Sequence, residues 1–481
     1  MLKHLYTFTL SLLLILPAQF ANAEDSAELW DLQMCIDYAL ENSVQLKQQE
    51  INLQLQEAVL SQTYADIFPS INADLNSSLN YGRNVDPTTY EFRTQTITLG
   101  SATLSSNLTL FNGFRKWNTI RQNRLNLSSA EADLAQSAND VALNISSAYL
   151  QILLSESQAR LAQEQLEVIS QQVEQTRRMV ESGALADNAL MEIQAQQARD
   201  ELNSIVAENN LELAYLNLKI LMQADPDKDI RIFRPELDVP DISEIEQRNP
   251  QAIYATALQL QPKIQSAAYK IQSAEKGIQV ARSGRYPSLN FFAAFRTNYS
   301  DGREQFTDFV PTGGIDTLGF LSSDLTPVVR PEIDIISEKI PFGEQLDENF
   351  NYAIGLNLTV PIFNGWQVKT NIQRATLEHQ SALLGDTQVR NQLRNDIQQA
   401  YVSARAAGLR YRSSEANLSA AQNAYRNAEQ RFNLGMLNAV DFNTSRNNLQ
   451  IAETELLNAK FEYIFQLKIL DFYEGKPLEL N

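Results

Sequence analysis

One cysteine and two histidines in 481 residues leave little from which to build a catalytic centre. A lone cysteine cannot close an intrachain disulfide, and Cys35, in LQMCIDYAL, reads as a small buried hydrophobe. No small residues precede it, which excludes a lipid-acylation site. His4 falls in the leader described below, so a histidine metal site, a Cys/His pair or a Ser/His/Asp triad would have to use His379. That residue sits in ATLEHQSALL, among helix formers, where a solvated helix face is the simpler reading. There is no Walker loop, and no glycine fingerprint follows a strand. The expectation is a protein that is not an enzyme and has no cofactor and no metal.

Other shortages point the same way. With 15 Pro and 17 Gly, the chain suits long uninterrupted elements better than many short ones joined by turns. Positive charge is scarce: 39 Lys and Arg face 58 Asp and Glu, a formal net charge of −19. That balance argues against nucleic acid as a partner and against a polybasic anchor on anionic lipid. Long apolar runs are missing too, since no stretch beyond the start reaches the roughly 18 residues of a membrane helix. The start itself carries Lys3 and His4, the apolar LYTFTLSLLLIL, and FANA ending in Ala21-x-Ala23. Residues 1–23 therefore read as a secretory signal cleaved before Glu24, the alternative being an uncleaved anchor with a short apolar core.

What the chain does have is itself, twice. At a shift of 252, Phe111-Asn112-Gly113 meets Phe363-Asn364-Gly365, Ala148-Tyr149 meets Ala400-Tyr401, and Gly183 meets Gly435. At a shift of 249, Leu218-Lys219-Ile220-Leu221 meets Leu467-Lys468-Ile469-Leu470. Upstream the shift is 218, pairing Ala39-Leu40 with Ala257-Leu258 and Pro69-Ser70 with Pro287-Ser288. The change from 218 to 252 places an insertion between Tyr299 and Phe350, whose Pro, Gly and Asp predict an extended loop.

Each copy contains two alternating stretches. In SINADLNSSLNY, Ile71, Ala73, Leu75, Leu79 and Tyr81 alternate with Asn72, Asp74, Asn76, Ser78 and Asn80. SATLSSNLTLF sets Ala102, Leu104, Leu108 and Leu110 against Thr103, Ser105, Asn107 and Thr109. The second copy follows with Leu289, Phe291, Ala293 and Phe295, broken by Phe292 and Ala294, and with Tyr352, Ile354, Leu356, Leu358, Val360 and Ile362. Period two over about ten residues or more, with aromatics near the ends, is how a membrane-barrel strand reads. A soluble sandwich is the alternative, but no further strand-rich segment supplies a second sheet. Four strands cannot close a barrel and an open edge is not tolerated in lipid, so if these strands span a membrane, several chains must share one barrel.

The helices carry a 4-3 spacing through Val141, Ile145, Ala148, Ile152, Ser155, Ile169, Val173 and Thr176, repeated through Ile397, Ala400, Ala404, Ala407, Ser414, Tyr425 and Phe432. Sustained heptads predict a coiled-coil seam, and an unbroken helix from Asn112 to Glu181 would be about 100 Å long. A weaker second stripe (Leu143, Leu150, Leu154, Leu161; Val402, Ala406, Leu409) predicts a neighbour on the far side of each helix, as in a wall. The two Phe-Asn-Gly motifs then mark where strand becomes helix. Phe111 and Phe363 would sit at the lipid interface, Asn112 and Asn364 would cap, and Gly113 and Gly365 would relieve the bend.

These features together resemble the TolC-like outer-membrane efflux protein family. The resemblance is carried by WDLQMCIDYALENS, LTLFNG and TVPIFNG, and the helix turns ESGALADNALMEIQAQ and NLGMLNAVDFNTSRNNLQ. It implies a mainly α fold with membrane β: a long coiled-coil α-helical barrel plus a shared 12-stranded transmembrane β-barrel, four strands per chain in a homotrimer, from an internal tandem duplication. On that plan residues 24–222 form the first repeat, with strands about 70–82 and 96–111 and helices about 113–181 and 186–222. A connecting segment, 223–248, follows. Residues 249–473 form the second repeat, with strands about 287–300 and 351–363 and helices about 365–433 and 437–472, and 474–481 is a short tail. The implied function is an outer-membrane exit channel of an efflux pump or type I secretion system, with a periplasmic tunnel that meets an adaptor and an inner-membrane transporter.

The resemblance also implies a periplasmic gate at the helix turns. Its aromatic falls on Phe432, which lacks a hydroxyl, its first aspartate on Asp441 and its second on Thr444. Its arginine falls on Leu437 and the partner positions on Asn188 and Ala189, so the expected gate rests on packing rather than a polar lock. Asp441 by itself reads as a solvated carboxylate in a turn. Gly183 and Gly435 serve positive φ at helix ends, and the turns holding Leu185 and Leu437 are the expected adaptor contact. A periplasmic adaptor would instead show one helical hairpin flanked by β-rich modules.

Overall fold

The computed structural model describes residues 29–85, 92–235 and 239–478; the expected leader lies outside the described residues. In chain order these form β1 (Leu29–Trp30), α1 (Leu32–Asn42), α2 (Val44–Ala65), β2 (Ser70–Val85), β3 (Phe92–Asn112), α3 (Arg115–Glu181) and α4 (Asp187–Met222). Then come β4 (Arg231–Ile232), α5 (Ile242–Gln247), α6 (Pro250–Leu260), α7 (Pro262–Arg282), β5 (Ser288–Ser300), β6 (Glu304–Phe320) and β7 (Pro327–Lys339). The last elements are α8 (Phe342–Glu348), β8 (Asn351–Thr359), α9 (Gln367–Asn433) and α10 (Ala439–Tyr473). The duplication reaches small details. The α1–α2 break falls at Ser43 and the α6–α7 break at Gln261, which correspond at the shift of 218, and Pro262 opens α7 where a missing N–H costs nothing.

The chain divides into two compact units, and neither coincides with one repeat. One comprises the chain up to Lys47, Ser137–Ala257 and Asn395 onward; the other comprises Gln48–Gln136 and Leu258–Arg394. Each draws on both copies because strands pair with strands and helices pack on helices across the duplication.

In the strand-bearing unit, β2, β3, β5 and β8 form one antiparallel four-stranded sheet in that order, joined across the copies by β3–β5. Partnered residues share a face, so the register stacks Ala73, Leu104, Phe295 and Tyr352 in one row and Ile71, Ser106, Ala293 and Ile354 in the next. A bulge between Thr109 and Phe111 takes Leu110 out of phase and sets Phe111 opposite Leu289. Nothing covers this apolar face within the described chain: Leu75 is 81% exposed and Ile71, Leu79, Tyr352, Ile354 and Leu356 are open as well. A sandwich would bury them. β8 stops at Thr359, short of the expected 363, because Pro361 offers no ladder donor.

The segment expected to be an extended loop is instead largely a second antiparallel sheet, β6 with β7, followed by α8. Three register shifts, at Phe306/Asp308, Pro311/Ile315 and Thr317/Gly319, absorb Pro311 and the Gly313-Gly314 pair. Those irregularities erase the period-two pattern, which is why the sequence reads as loop. Helix α8 is tied to β5 by Gln345, which is 1% exposed. Its Nε2 donates to the carbonyls of Ser300 (2.9 Å) and Ile340 (2.8 Å), and its Oε1 accepts from the Ser300 N–H (3.0 Å).

In the helical unit the predicted seam is the core. Val141, Ile145, Ala148, Ile152, Ile169 and Val173 on α3 are buried, as are Ile397, Ala400, Ala404, Ala407 and Phe432 on α9. Full burial of each large aliphatic contributes about 1.5–3 kcal/mol. On α3 the second stripe is largely covered, whereas on α9 Val402 and Leu409 remain exposed. The connecting segment is pinned to this core. β4 pairs in parallel with β1, Tyr149 Oη donates to the Phe233 carbonyl (2.5 Å), and the Lys228 ammonium lies 4.5 Å from the ring centroids of both Trp30 and Tyr38. Cys35 is fully buried here, and burial, with Asp31 adding to it, pushes its thiol up to about 12.

Candidate functional site

The helix turns and the strand–helix junctions are each written twice, and their geometry is repeated with them. At the end of α3 the Gly183 N–H donates to the Val180 carbonyl (2.8 Å) and the Ala184 N–H to that of Met179 (2.9 Å). At the end of α9 the Gly435 N–H donates to Phe432 (2.9 Å) and the Met436 N–H to Arg431 (2.8 Å). Both are Schellman closures with glycine left-handed, at φ 77° and 67°. Helix α10 then starts from Asn438, whose Oδ1 accepts the Asp441 N–H (2.8 Å) while its Nδ2 donates to Asp441 Oδ2 (2.9 Å).

Behind these turns the four helix ends share one apolar cluster of Ile169, Val173, Ile193, Phe432, Ala439 and Phe442. Phe432 is fully buried and stacks on Phe442 with ring centroids 4.5 Å apart. Tyr425 packs beside them; burial and the neighbouring Glu429 push its hydroxyl up to about 12. Leu185, Ala189 and Leu437 lean on the same cluster, half-buried. The fully outward side chains at the second turn are Leu434 (70% exposed) and Met436 (61%), which the sequence reading passed over. Asn188, Asp441 and Thr444 are exposed. Asp441 bonds Asn438, and Thr444 donates to the Val440 carbonyl of its own helix, so the structure brings neither onto the opposite turn.

A polar feature deeper in the same unit carries no sequence motif. Arg446 on α10 forms an ion pair with Asp200 on α4, their side chains 4% and 2% exposed. The Asp200 carboxylate also accepts from Gln196 Nε2 (2.9 Å) and Gln450 Nε2 (3.4 Å). Arg446 Nη1, Thr176 Oγ1 and Gln172 Nε2 find no partner among the described residues. The pair was illegible because the two residues lie 246 positions apart.

At the junctions, two successive residues are left-handed in each copy: Gly113 and Phe114 (φ 66° and 63°), then Gly365 and Trp366 (57° and 66°). Asn112 caps from outside the helix, its Oδ1 accepting the Lys116 N–H (3.3 Å). Asn364 contributes through its backbone carbonyl, which accepts the Gln367 N–H (3.1 Å). Gly113 is doubly required, because a Cβ there would lie 2.6 Å from the Ser283 carbonyl oxygen. Phe111, Phe114, Trp117, Phe363 and Trp366 are exposed, aromatics of the kind that collect at a lipid interface, and the Phe111 and Phe114 rings meet edge to face with centroids 5.3 Å apart.

Among the described residues no helix is long and apolar enough to cross a membrane, and no group of His, Cys, Asp and Glu could hold a metal. No curated protein sequence matches the chain at a significant level. Several solved structures share its fold. VceC of Vibrio cholerae aligns over 93% of this chain and 97% of its own, with a TM-score of 0.72 at 16% identity. The CmeC outer membrane channel of Campylobacter jejuni aligns over 92% and 85%, with 0.71 at 19%. The open state of the MtrE outer membrane channel of Neisseria gonorrhoeae aligns over 94% and 90%, with 0.68 at 17%. The family profile described as outer membrane efflux protein matches residues 35–222 and again 253–470, once per copy. The chain therefore belongs to the outer membrane efflux protein family, as an exit channel of the outer membrane.

Proposed function

We propose that three copies of the chain close one twelve-stranded barrel and one helical duct, a passive conduit without turnover or cofactor. A periplasmic adaptor and an inner-membrane transporter supply the cargo and the energy. One observation carries this reading: a four-stranded sheet with an uncovered apolar face and unpaired outer edges on β2 and β8. In lipid each unpaired backbone group costs several kcal/mol, and the β2 edge of one copy against the β8 edge of the next removes that cost. The exposed Val402 and Leu409 on α9 support a second helical neighbour in the same assembly.

The tips supply the gate and the docking surface. Closure rests on the Phe432–Phe442 stack and on Leu437 packed against it, with Asp441, Thr444 and Asn188 as the polar residues facing the passage. The adaptor meets the turns at Gly183, Leu185, Gly435 and Leu437, with Leu434 and Met436 the apolar side chains that reach farthest out. The test is the protein mass of the detergent-extracted particle by light scattering. Three chains per particle supports the shared barrel. A detergent-independent monomer means a soluble sheet, and the reading falls.

A further inference from the structure

Phe292 breaks the alternation of β5, and the register shows where the exception lands. Its partners are Asn107 on β3 and Gly355 on β8, which puts the ring on the polar face of the sheet. That face is otherwise mostly amides and hydroxyls, Asn72, Asn76, Ser105, Asn290 and Asn357 among them, with Ala294 and Ala353 in the next row and Leu99 and Ile97 farther along β3. The charges nearest the ring on that face are Asp74 and Arg296, which share one row with Thr103 between them. Phe292 is 37% exposed, so no core accounts for it.

Gly355 explains how the ring is held. A Cβ at that position would lie 2.8 Å from the Phe292 Cζ and 2.9 Å from its Cε1, so the tip of the ring occupies the space that the missing side chain leaves. Gly355 is not among the residues with positive φ, so its backbone does not ask for glycine. Glycine inside a strand weakens it and often marks a close approach of this kind. The next residue on the same face is the small Ala294.

We propose that Phe292, seated on Gly355, is a contact site for the aromatic or apolar face of amphipathic cargo inside the barrel, one site per copy. This rests on the conduit reading, in which the polar face lines the lumen. An exposed ring in a polar wall offers stacking and cation–π attraction to such a cargo, whereas small hydrated ions pass it without contact.

The test uses the full-length protein in planar bilayers, with current block by tetraphenylphosphonium compared with block by magnesium, a small hydrated cation without rings. Phe292→Ser is expected to weaken tetraphenylphosphonium block about three- to tenfold and leave magnesium block unchanged, with Phe292→Trp restoring block. Gly355→Ala, which keeps Phe292 but displaces its ring, is expected to weaken block in the same direction and covers the case in which Phe292→Ser does not assemble. Equal tetraphenylphosphonium block in wild type and both variants overturns the contact site, as does an equal change for both cations. Absence of any conductance in the wild-type protein overturns the conduit reading, a result distinct from either of these.

Discussion

The buried Asp200–Arg446 pair allows a sharp test of what holds the helical unit together behind its tips. Both side chains are almost fully excluded from water. Removing one partner of such a pair typically costs about 3–5 kcal/mol, because the other charge is stranded, while replacing both with apolar groups of similar size is often neutral or better. The surroundings here break the symmetry between the two single variants. After Arg446→Met, the Asp200 carboxylate keeps Gln196 and Gln450 as donors, which places the cost near the lower bound. After Asp200→Asn, the guanidinium, whose Nη1 already finds no acceptor among the described residues, loses its charged partner, which places the cost near the upper bound. The double variant Asp200→Leu/Arg446→Met should fall within about 1 kcal/mol of wild type. Hydrogen exchange of the amides around Asp200 on α4 and Arg446 on α10 reads this locally, without requiring reversible unfolding of a membrane assembly. A loss of about 3 kcal/mol corresponds to roughly a hundredfold faster exchange if both segments open together. Single variants that exchange like wild type, or a double variant as damaged as the sum of the singles, would refute the reasoning.

Other expectations follow from the same geometry. Gly365→Ala should cost about 1 kcal/mol through φ alone, whereas Gly113→Ala should cost clearly more because its Cβ meets the Ser283 carbonyl; thermal melting of the assembled particle ranks them, and equal losses would contradict the assignment. Cys35 should resist maleimide at pH 8 in the folded protein and react once it unfolds, since burial both hides the thiol and holds it protonated. Its folded pKa lies above the ordinary value of 9.0, so the unfolded chain ionises first and stability should decline as pH rises from about 9 towards 12; Cys35→Ala should lessen that decline. Deleting the β6–β7 sheet between Glu304 and Lys339 while keeping α8 should leave the number of chains per particle unchanged, because Gln345 ties α8 to β5 independently. A deletion that also removes Gln345 should impair assembly.

The sequence by itself determined whatever depends on neighbours along the chain. Period-two alternation placed the strands that became β2, β3, β5 and β8, heptads placed α3 and α9 to within a few residues, and the shifts of 218 and 252 revealed the duplication, while the matching breaks at Ser43 and Gln261 came from the structure. Glycines at the turns were legible because a left-handed residue is a local demand. The tertiary structure alone decided the rest. It set β3 beside β5, so that the compact units cut across the repeats, and it turned a Pro- and Gly-rich insertion into paired strands through bulges that no period reveals. It drew Phe432, Leu185 and Leu437 inward and left Leu434 and Met436 outward, and it joined Asp200 to Arg446. Periodicity records which face of an element is apolar, but not which distant residue will cover it. That choice is made by contacts between residues hundreds of positions apart, where shape and desolvation select the partner.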